Sequence, residues 1–109
     1  MEITNLVERL EVLEEKCGIA ISALYASYVI TDYSKTKIII NFDLTSLSGG
    51  SLKRNVYMRA GAYNSAGQLL GTASSYRIYS NTFLGFKSQS ITIDDLDKVP
   101  EKIRLHPTG

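Results

Sequence analysis

The chain has no tryptophan and only one cysteine, one histidine and two prolines among its 109 residues. A single cysteine, Cys17, cannot form an internal disulfide, which fits a reducing compartment. One cysteine and one histidine are also too few for a structural zinc site. The histidine, His106, lies close to the C-terminus, where side chains are usually solvated and rarely act as catalytic bases. These shortages argue against zinc proteins, disulfide-stabilised domains and histidine-dependent hydrolases.

Targeting and membrane-spanning segments are also missing. The N-terminus has no basic region followed by an apolar run, so no secretory signal is visible. The longest apolar-rich stretch, residues 19–30, is interrupted by two serines and is too short to span a bilayer. A formal net charge of +1 provides no general attraction to nucleic acid or anionic membranes. We therefore expect a cytoplasmic location, no membrane partner and no primary role in binding nucleic acid.

Motifs of enzymes and cofactor-binding proteins are absent as well. Gly49-Gly50 is not followed by the Lys-Ser or Lys-Thr of a phosphate-binding loop. The acidic run of Asp94, Asp95 and Asp97 lacks the glycine and the distal glutamate of a calcium loop, so we interpret it as a solvated turn. No spacing pairs two carboxylates for glycoside chemistry. The sequence predicts a non-catalytic protein without cofactor or metal, and leaves a small-molecule ligand unknown.

The first seventeen residues have the spacing of a short amphipathic helix. Charged residues separate apolar ones that recur every three or four positions. Thr4 or Asn5 can cap its start, and Gly18 can take the left-handed conformation that ends a helix. The apolar stripe, which is the candidate protein-interaction surface, consists of Ile3, Leu6, Leu10, Leu13 and Cys17.

A helix of this length is marginal in water and needs a surface to pack against. One alternative is the same helix in a second copy, which would make the protein a homo-oligomer. The other is the open side of its own body. Cys17 fits either a small buried apolar position or a disulfide between two parallel copies. We predict two segments, the helix over 1–17 and a β-domain over 18–109.

From Gly18 onward the apolar period changes from about 3.6 to two. Residues 19–30, 38–45, 56–63, 68–78, 86–93 and 103–107 read as strands. Asn64-Ser65-Ala66-Gly67 is a hairpin turn, with Gly67 free to adopt a positive φ. No helical segment separates the strands, which disfavours a parallel sheet. The pattern predicts an antiparallel sandwich or barrel of six or seven strands.

The hairpin from Ala62 to Ala73 resembles the core of bacterial FxLYD-type domains. In that family an aromatic residue ends a strand, an Asp-x-x-Gly-like turn follows, and Leu-Gly-Thr begins the return strand. Phe83-Leu84-Gly85-Phe86 is similar to the glycine turn and aromatic before the family's next strand. The resemblance covers about residues 53–92, although Asn64 replaces the usual Asp and Ala62 a larger apolar residue. It implies an immunoglobulin-like or fibronectin-type-III-like sandwich, usually an appended module without catalysis.

Seven of the chain's ten phenylalanine, tyrosine and tryptophan residues are tyrosines. Tyr57, Arg59 and Tyr63 alternate with apolar residues on one predicted strand, and Tyr76 lies on its return strand. Such a surface is typical of protein contacts, and it also suits base or sugar stacking. Cross-strand tyrosines that only stabilise the sheet are the third interpretation. We expect a protein-interaction or assembly module, with a ligand-binding face for single-stranded nucleic acid or carbohydrate as the alternative.

Overall fold

The computed structural model describes residues 1–108. Its elements in chain order are β1 (Val7–Arg9), α1 (Glu11–Cys17), β2 (Ile19–Ile30), β3 (Thr36–Ser46), β4 (Tyr57–Tyr63), β5 (Leu69–Ser74), β6 (Phe86–Leu96) and β7 (Lys102–Thr108). Over these residues the strands form a four-stranded sheet in the order β1-β7-β4-β5 and a three-stranded sheet in the order β2-β3-β6. The prediction of an all-β sandwich is confirmed.

Alternating side chains of both sheets build the core. On β3 the side chains of Ile38, Ile40, Phe42 and Leu44 are buried, and the residues between them face outward. The inward-facing side chains of β4 and β7 belong to the same core. They are Met58, Ala60, Ala62, Ile103 and Leu105, and all five are fully buried. Burying each large aliphatic side chain contributes about 1.5–3 kcal/mol, so this period-two pattern is the main source of stability.

Two hairpins join neighbouring strands, β2 to β3 and β4 to β5, and the other connections cross between the sheets. The predicted turn after Tyr63 is present. The side-chain carbonyl of Asn64 accepts hydrogen bonds from the amides of Ala66 (3.0 Å) and Gln68 (2.9 Å). Gly67 has a φ of +79°, the conformation that the sequence assigned to it.

Some strand details differ from the sequence pattern. A bulge between Ser22 and Tyr25, with Ala23 at a φ of +51°, shifts the alternation of β2 by one residue. The buried side of β2 therefore passes from Ile19 and Ile21 before the bulge to Ala26 beyond it. The predicted strand over 68–78 ends at Ser74, while β6 continues past Ile93 to Leu96.

The N-terminal segment departs most from the prediction. A continuous helix over the first seventeen residues is wrong, because a 3-10 turn at Thr4–Leu6 and strand β1 precede a helix of only seven residues, Glu11–Cys17. Neither proposed cap starts that helix. It begins after Leu10 without a side-chain cap, whereas the hydroxyl of Thr4 accepts a hydrogen bond from the amide of Ala26 (2.9 Å). Gly18 ends it at a φ of +75°, as predicted.

This segment pairs with open edges of both sheets. The amide of Ile3 donates to the carbonyl of Ala26 (2.7 Å), and the amide of Tyr28 donates to that of Met1 (2.9 Å). Farther along, Val7–Arg9 runs parallel to residues 103–105 of β7. The sandwich is therefore not purely antiparallel. Hydrogen bonding to two unpaired edges outweighs the weak helical preference of this stretch.

An ion pair connects β1 to α1. The guanidinium of Arg9 donates from Nη2 to Oε1 of Glu14 (2.7 Å) and from Nε to Oε2 (3.1 Å). The Glu14 side chain is 3% exposed and that of Arg9 31%. Hydrogen bonding and the charge of Glu14 raise the pKa of Arg9, and Glu11 adds to this. The two-point contact holds the helix against the end of β1.

Candidate functional site

The outer surface of the four-stranded sheet carries the predicted tyrosine and arginine residues. Met58, Ala60 and Ala62 of β4 point into the core, and the residues between them face away from it. The neighbouring strand β7 alternates in the same way. We call this outward surface the Tyr/Arg face, and it consists of Tyr57, Arg59, Tyr63, Lys102, Arg104 and His106.

One contact organises the middle of this face. Gly61 pairs with Arg104 across the strands, and the guanidinium carbon of Arg104 lies 5.1 Å from the centroid of the Tyr63 ring. The Tyr63 ring rests against the strand at Gly61. A Cβ at that position would lie 3.1 Å from Cε2 of Tyr63, so a residue without a side chain is needed for this close contact. The cation–π contact and the glycine together hold the aromatic side chain in one position.

Strand β1 brings an acid to the edge of the face. Oε2 of Glu8 lies 3.2 Å from Nζ of Lys102, and Oε1 lies 3.4 Å from Nε of Arg104. The hydrogen bond and charge of Lys102, with a smaller effect of Arg104, lower the pKa of Glu8. Because all three side chains are largely exposed, the pairs guide the position of the side chains more than they stabilise the fold.

A shallow depression of about 340 Å³ lies at one end of the Tyr/Arg face. The side chains of Tyr63, Lys102 and Arg104 form one side, and Glu101 and the Asn64 turn form the other. The lining offers cations, one carboxylate, an amide and an aromatic ring, which can make polar contacts to a partner's side chains.

The four predicted ligand-face residues do not all lie together. Tyr57, Arg59 and Tyr63 share the outer face of β4, but β5 ends before Tyr76, which lies in the following connection. Arg59 donates from Nε to the hydroxyl of Thr72 (3.3 Å) on β5. Tyr76 is 92% exposed and follows Ser75, whose amide donates to the carbonyl of Met58 (2.8 Å).

The helix stripe is used within the chain. Ile3 and Cys17 are buried in the sandwich core, and Leu6 packs against it. Leu10 and Leu13 are half-buried. The sequence left open whether the stripe packs on the same chain or on a second copy, and Ile3, Leu6 and Cys17 pack on the same chain. Val12, outside the stripe, is the exposed apolar residue of α1.

The sequence analysis missed a second surface, at the end of the sandwich where β3 and β5 finish. Two loops, 47–56 and 75–85, form it together with the start of β6, and we call it the loop end. It exposes large apolar side chains and cations, namely Leu47, Tyr76, Tyr79, Leu84, Phe86, Lys53, Arg54, Arg77 and Lys87.

Hydrogen bonds hold the two loops to each other. Val56 and Ile78 form an antiparallel bridge with N–O distances of 2.9 and 2.6 Å, and the side-chain carbonyl of Asn55 accepts from the amide of Ser80 (2.9 Å). The amide of Ser46 donates to the carbonyl of Gly85 (2.9 Å). The loop end is thus a fixed platform.

A signal for this platform is present in the sequence. Between Asp43 and Asp94 there is no acidic residue, and this stretch contains five lysines and arginines. The rest of the chain has seven cations against eleven acids. The net charge of +1 is a sum over the whole chain, so it does not show that the positive and negative residues lie in different parts of the sequence.

Metal binding and homology add no further site. Within residues 1–108, no three His, Cys, Asp or Glu side chains are grouped so that they could hold a metal ion, and Asp97 is instead paired with Lys35. None of the helices in that range has the length and apolar character needed to cross a membrane. A scan against protein-family models found no match, and searches of curated proteins and of solved structures also found none.

Proposed function

We propose that this protein is a non-catalytic interaction module that holds a partner protein on its Tyr/Arg face. The observation that carries the proposal is the uncovered row of Tyr57, Arg59, Tyr63, Lys102 and Arg104 on the two central strands of the four-stranded sheet. Tyrosine and arginine are enriched where protein interfaces gain most of their affinity. Central strands also position side chains more rigidly than loops do.

The charge on this face favours a partner segment with carboxylates. Lys102 and Arg104 already bind Glu8 of the same chain at 3.2 and 3.4 Å, so their geometry accommodates a carboxylate. Arg59 adds a third cation, which donates to the neutral hydroxyl of Thr72. An acidic partner segment would gain charge-assisted hydrogen bonds here.

The strand order supports an immunoglobulin-like type of sandwich. In that fold strands A, B and E share one sheet and C, F and G the other. β2, β3 and β6 correspond to A, B and E, while β4 and β7 correspond to C and F, with β5 beside C. The short β1 lies beside β7, where strand G would be, but runs parallel to it. The resemblance to FxLYD-type domains, which are usually appended, non-catalytic modules of this class, stays a prediction.

Stacking of a base or sugar on this face has less support. The ring of Tyr63 rests against Gly61 and lies under Arg104, so both contacts compete with a stacked ligand. Tyr76, the fourth residue of the ligand-binding alternative, lies outside the face. Polar contacts to a protein segment need no free ring surface and leave this arrangement intact.

Site-specific photocrosslinking in cells tests the proposal. A benzophenone side chain replacing Arg59, on the face, should give a discrete adduct with one partner protein. The same group replacing Asn41, on the outer surface of the three-stranded sheet, is the matched control because both positions are exposed on central strands. With the purified partner, Tyr63→Ala should weaken binding at least about tenfold, as expected of a hot-spot residue. Equal adducts from both positions, or none from Arg59, would contradict it.

A further inference from the structure

The apolar side chains of the loop end form a cluster around Gly85. Leu84 and Phe86 flank this glycine, and its carbonyl accepts the hydrogen bond from Ser46, the residue before Leu47. Leu84 is 90% exposed, and Leu47 and Phe86 are each 58% exposed. Large aliphatic and aromatic side chains this exposed, next to each other on a fixed platform, indicate a binding surface.

Cations surround the cluster. Lys87 follows Phe86, and Lys53, Arg54 and Arg77 lie on the paired parts of the two loops. Two acids lie near this end: Glu15 lines a depression with Leu47 and Lys53, and Asp43 accepts a hydrogen bond from the hydroxyl of Ser88 (2.7 Å), the residue after Lys87. The loop end thus combines apolar side chains at its tip with a surplus of positive charge around them.

The small size of the loop end favours some kinds of partner over others. Its extents are 43, 26 and 19 Å, so an end surface of 26 × 19 Å covers about 490 Å². A stable protein interface buries roughly 800 Å² on each partner. Single-stranded nucleic acid would stack on Phe86 and the two tyrosines of this end, but it would leave Leu47 and Leu84 without an apolar contact. A lipid surface requires no such area and accepts individual apolar side chains.

We propose that the loop end docks on an anionic lipid bilayer. Leu47, Leu84 and Phe86 enter the boundary between headgroups and acyl chains, and the surrounding lysines and arginines contact the anionic headgroups. Apolar burial and headgroup attraction add, which is how segments without a membrane-spanning helix bind a bilayer. This surface is separate from the Tyr/Arg face, so a protein partner and a membrane can be held at the same time.

The absence of tryptophan makes the docking directly measurable. Leu84→Trp introduces a single tryptophan at the tip of the loop end. Tyr33→Trp is the matched control, since Tyr33 is 88% exposed in the connection between β2 and β3 at the opposite end. With vesicles containing phosphatidylserine, the Leu84→Trp emission should shift to shorter wavelength and the Tyr33→Trp emission should not. Pure phosphatidylcholine vesicles should give a much smaller shift.

Sedimentation with the same vesicles measures the two contributions. Arg54→Ala should weaken partitioning about fivefold, and high salt should weaken it further, because each cation near an anionic surface contributes a similar attraction. Leu84→Ser should weaken it about tenfold, since it removes most of one inserted side chain. Lys98→Ala, at the opposite end, should leave it unchanged. All four side chains substituted in these experiments are exposed, and thermal unfolding checks that each variant folds.

Several results would overturn the proposal. One is the absence of binding to phosphatidylserine vesicles at low salt. Another is an equal emission shift from Tyr33→Trp, which would place the contact elsewhere. A third is a Leu84→Trp response to oligothymidine or polyglutamate without one to vesicles, which would assign the loop end to nucleic acid or to an acidic protein.

Discussion

Replacing Arg9 by alanine tests how the N-terminal segment is held. The substitution leaves the carboxylate of Glu14 in a nearly closed site, where its side chain is 3% exposed, without the two hydrogen bonds from the guanidinium. Breaking a fully buried ion pair costs about 3–5 kcal/mol. Because the Arg9 side chain is 31% exposed, water can reach part of the vacated space. We therefore expect a loss of about 2–3 kcal/mol in the free energy of unfolding.

The converse substitution should be milder. Glu14→Gln keeps the shape of the buried side chain, and the guanidinium left behind is partly in water, so we expect a loss of about 1 kcal/mol. The double variant Arg9→Ala/Glu14→Gln should be more stable than Arg9→Ala alone, because no unpaired charge remains buried. Glu15→Gln, an exposed substitution on the same helix, is the control and should change stability by less than about 0.5 kcal/mol.

Urea denaturation of the four variants measures these differences. With a slope of about 1–2 kcal/mol per molar for a domain of this size, Arg9→Ala should lower the midpoint by about 1–3 M. A change in the slope itself would indicate that β1 leaves the sheet before the rest unfolds. If Arg9→Ala were no worse than Glu15→Gln, or if Glu14→Gln failed to rescue it, the ion pair would not be what secures β1 to α1.

Two further substitutions test other contacts. Gly71→Ala would place a Cβ 2.6 Å from Cδ2 of buried Leu96, so it should destabilise the sandwich by about 1–3 kcal/mol. The same substitution should cost less in a Leu96→Ala background, because the side chain that it would clash with is gone. The lowered pKa of Glu8 means that its stabilising contribution is present above the ordinary glutamate pKa and is lost as the pH falls through the lower folded value. The stability advantage of wild type over Glu8→Gln should accordingly be complete at neutral pH and vanish in strong acid, and an advantage that did not change with pH would contradict this.

Most of the sandwich follows from alternation, because a half-buried strand must repeat every two residues. The pattern at Ile38, Ile40, Phe42 and Leu44 is clear since β3 is the central strand of its sheet and buries one face along its length. The bulge at Ala23 gave no such signal. It depends on a non-glycine residue at positive φ, which only the pairing of β2 with β3 reveals.

The N-terminal segment shows where sequence patterns are ambiguous. Apolar spacings of three and four fit a helix, but they equally fit a chain that crosses an edge and buries Ile3, then Leu6, then Cys17 as its direction changes. What decides is the unpaired edge of β7, which accepts Val7–Arg9 as a parallel strand. Such an edge is a property of the assembled sheets and has no local signature in residues 1–17.

The candidate surfaces differ in how far the sequence indicated them. Tyr57, Arg59 and Tyr63 could be placed on one face by counting residues along β4. Lys102 and Arg104 could not be added, because their alignment beside β4 depends on the register between strands that are distant in the chain. Tyr76 was expected on the return strand, but β5 ends at Ser74, two residues before it.

Charge separation connects the fold to both proposals. A sandwich whose strands run between two ends places sequence-distant loops together, so loops 47–56 and 75–85 meet at one end and add their cations. Neither loop alone has enough charge to indicate a partner, and the whole chain has a net charge of +1. The attraction to an anionic surface depends on the local field within about one Debye length, roughly 8–10 Å, and not on the total. Glu15 and Asp43 offset part of this field, and the four cations of the loop end leave a surplus of positive charge. The topology that brings these loops together is therefore what creates a basic, apolar-tipped surface from a nearly neutral sequence.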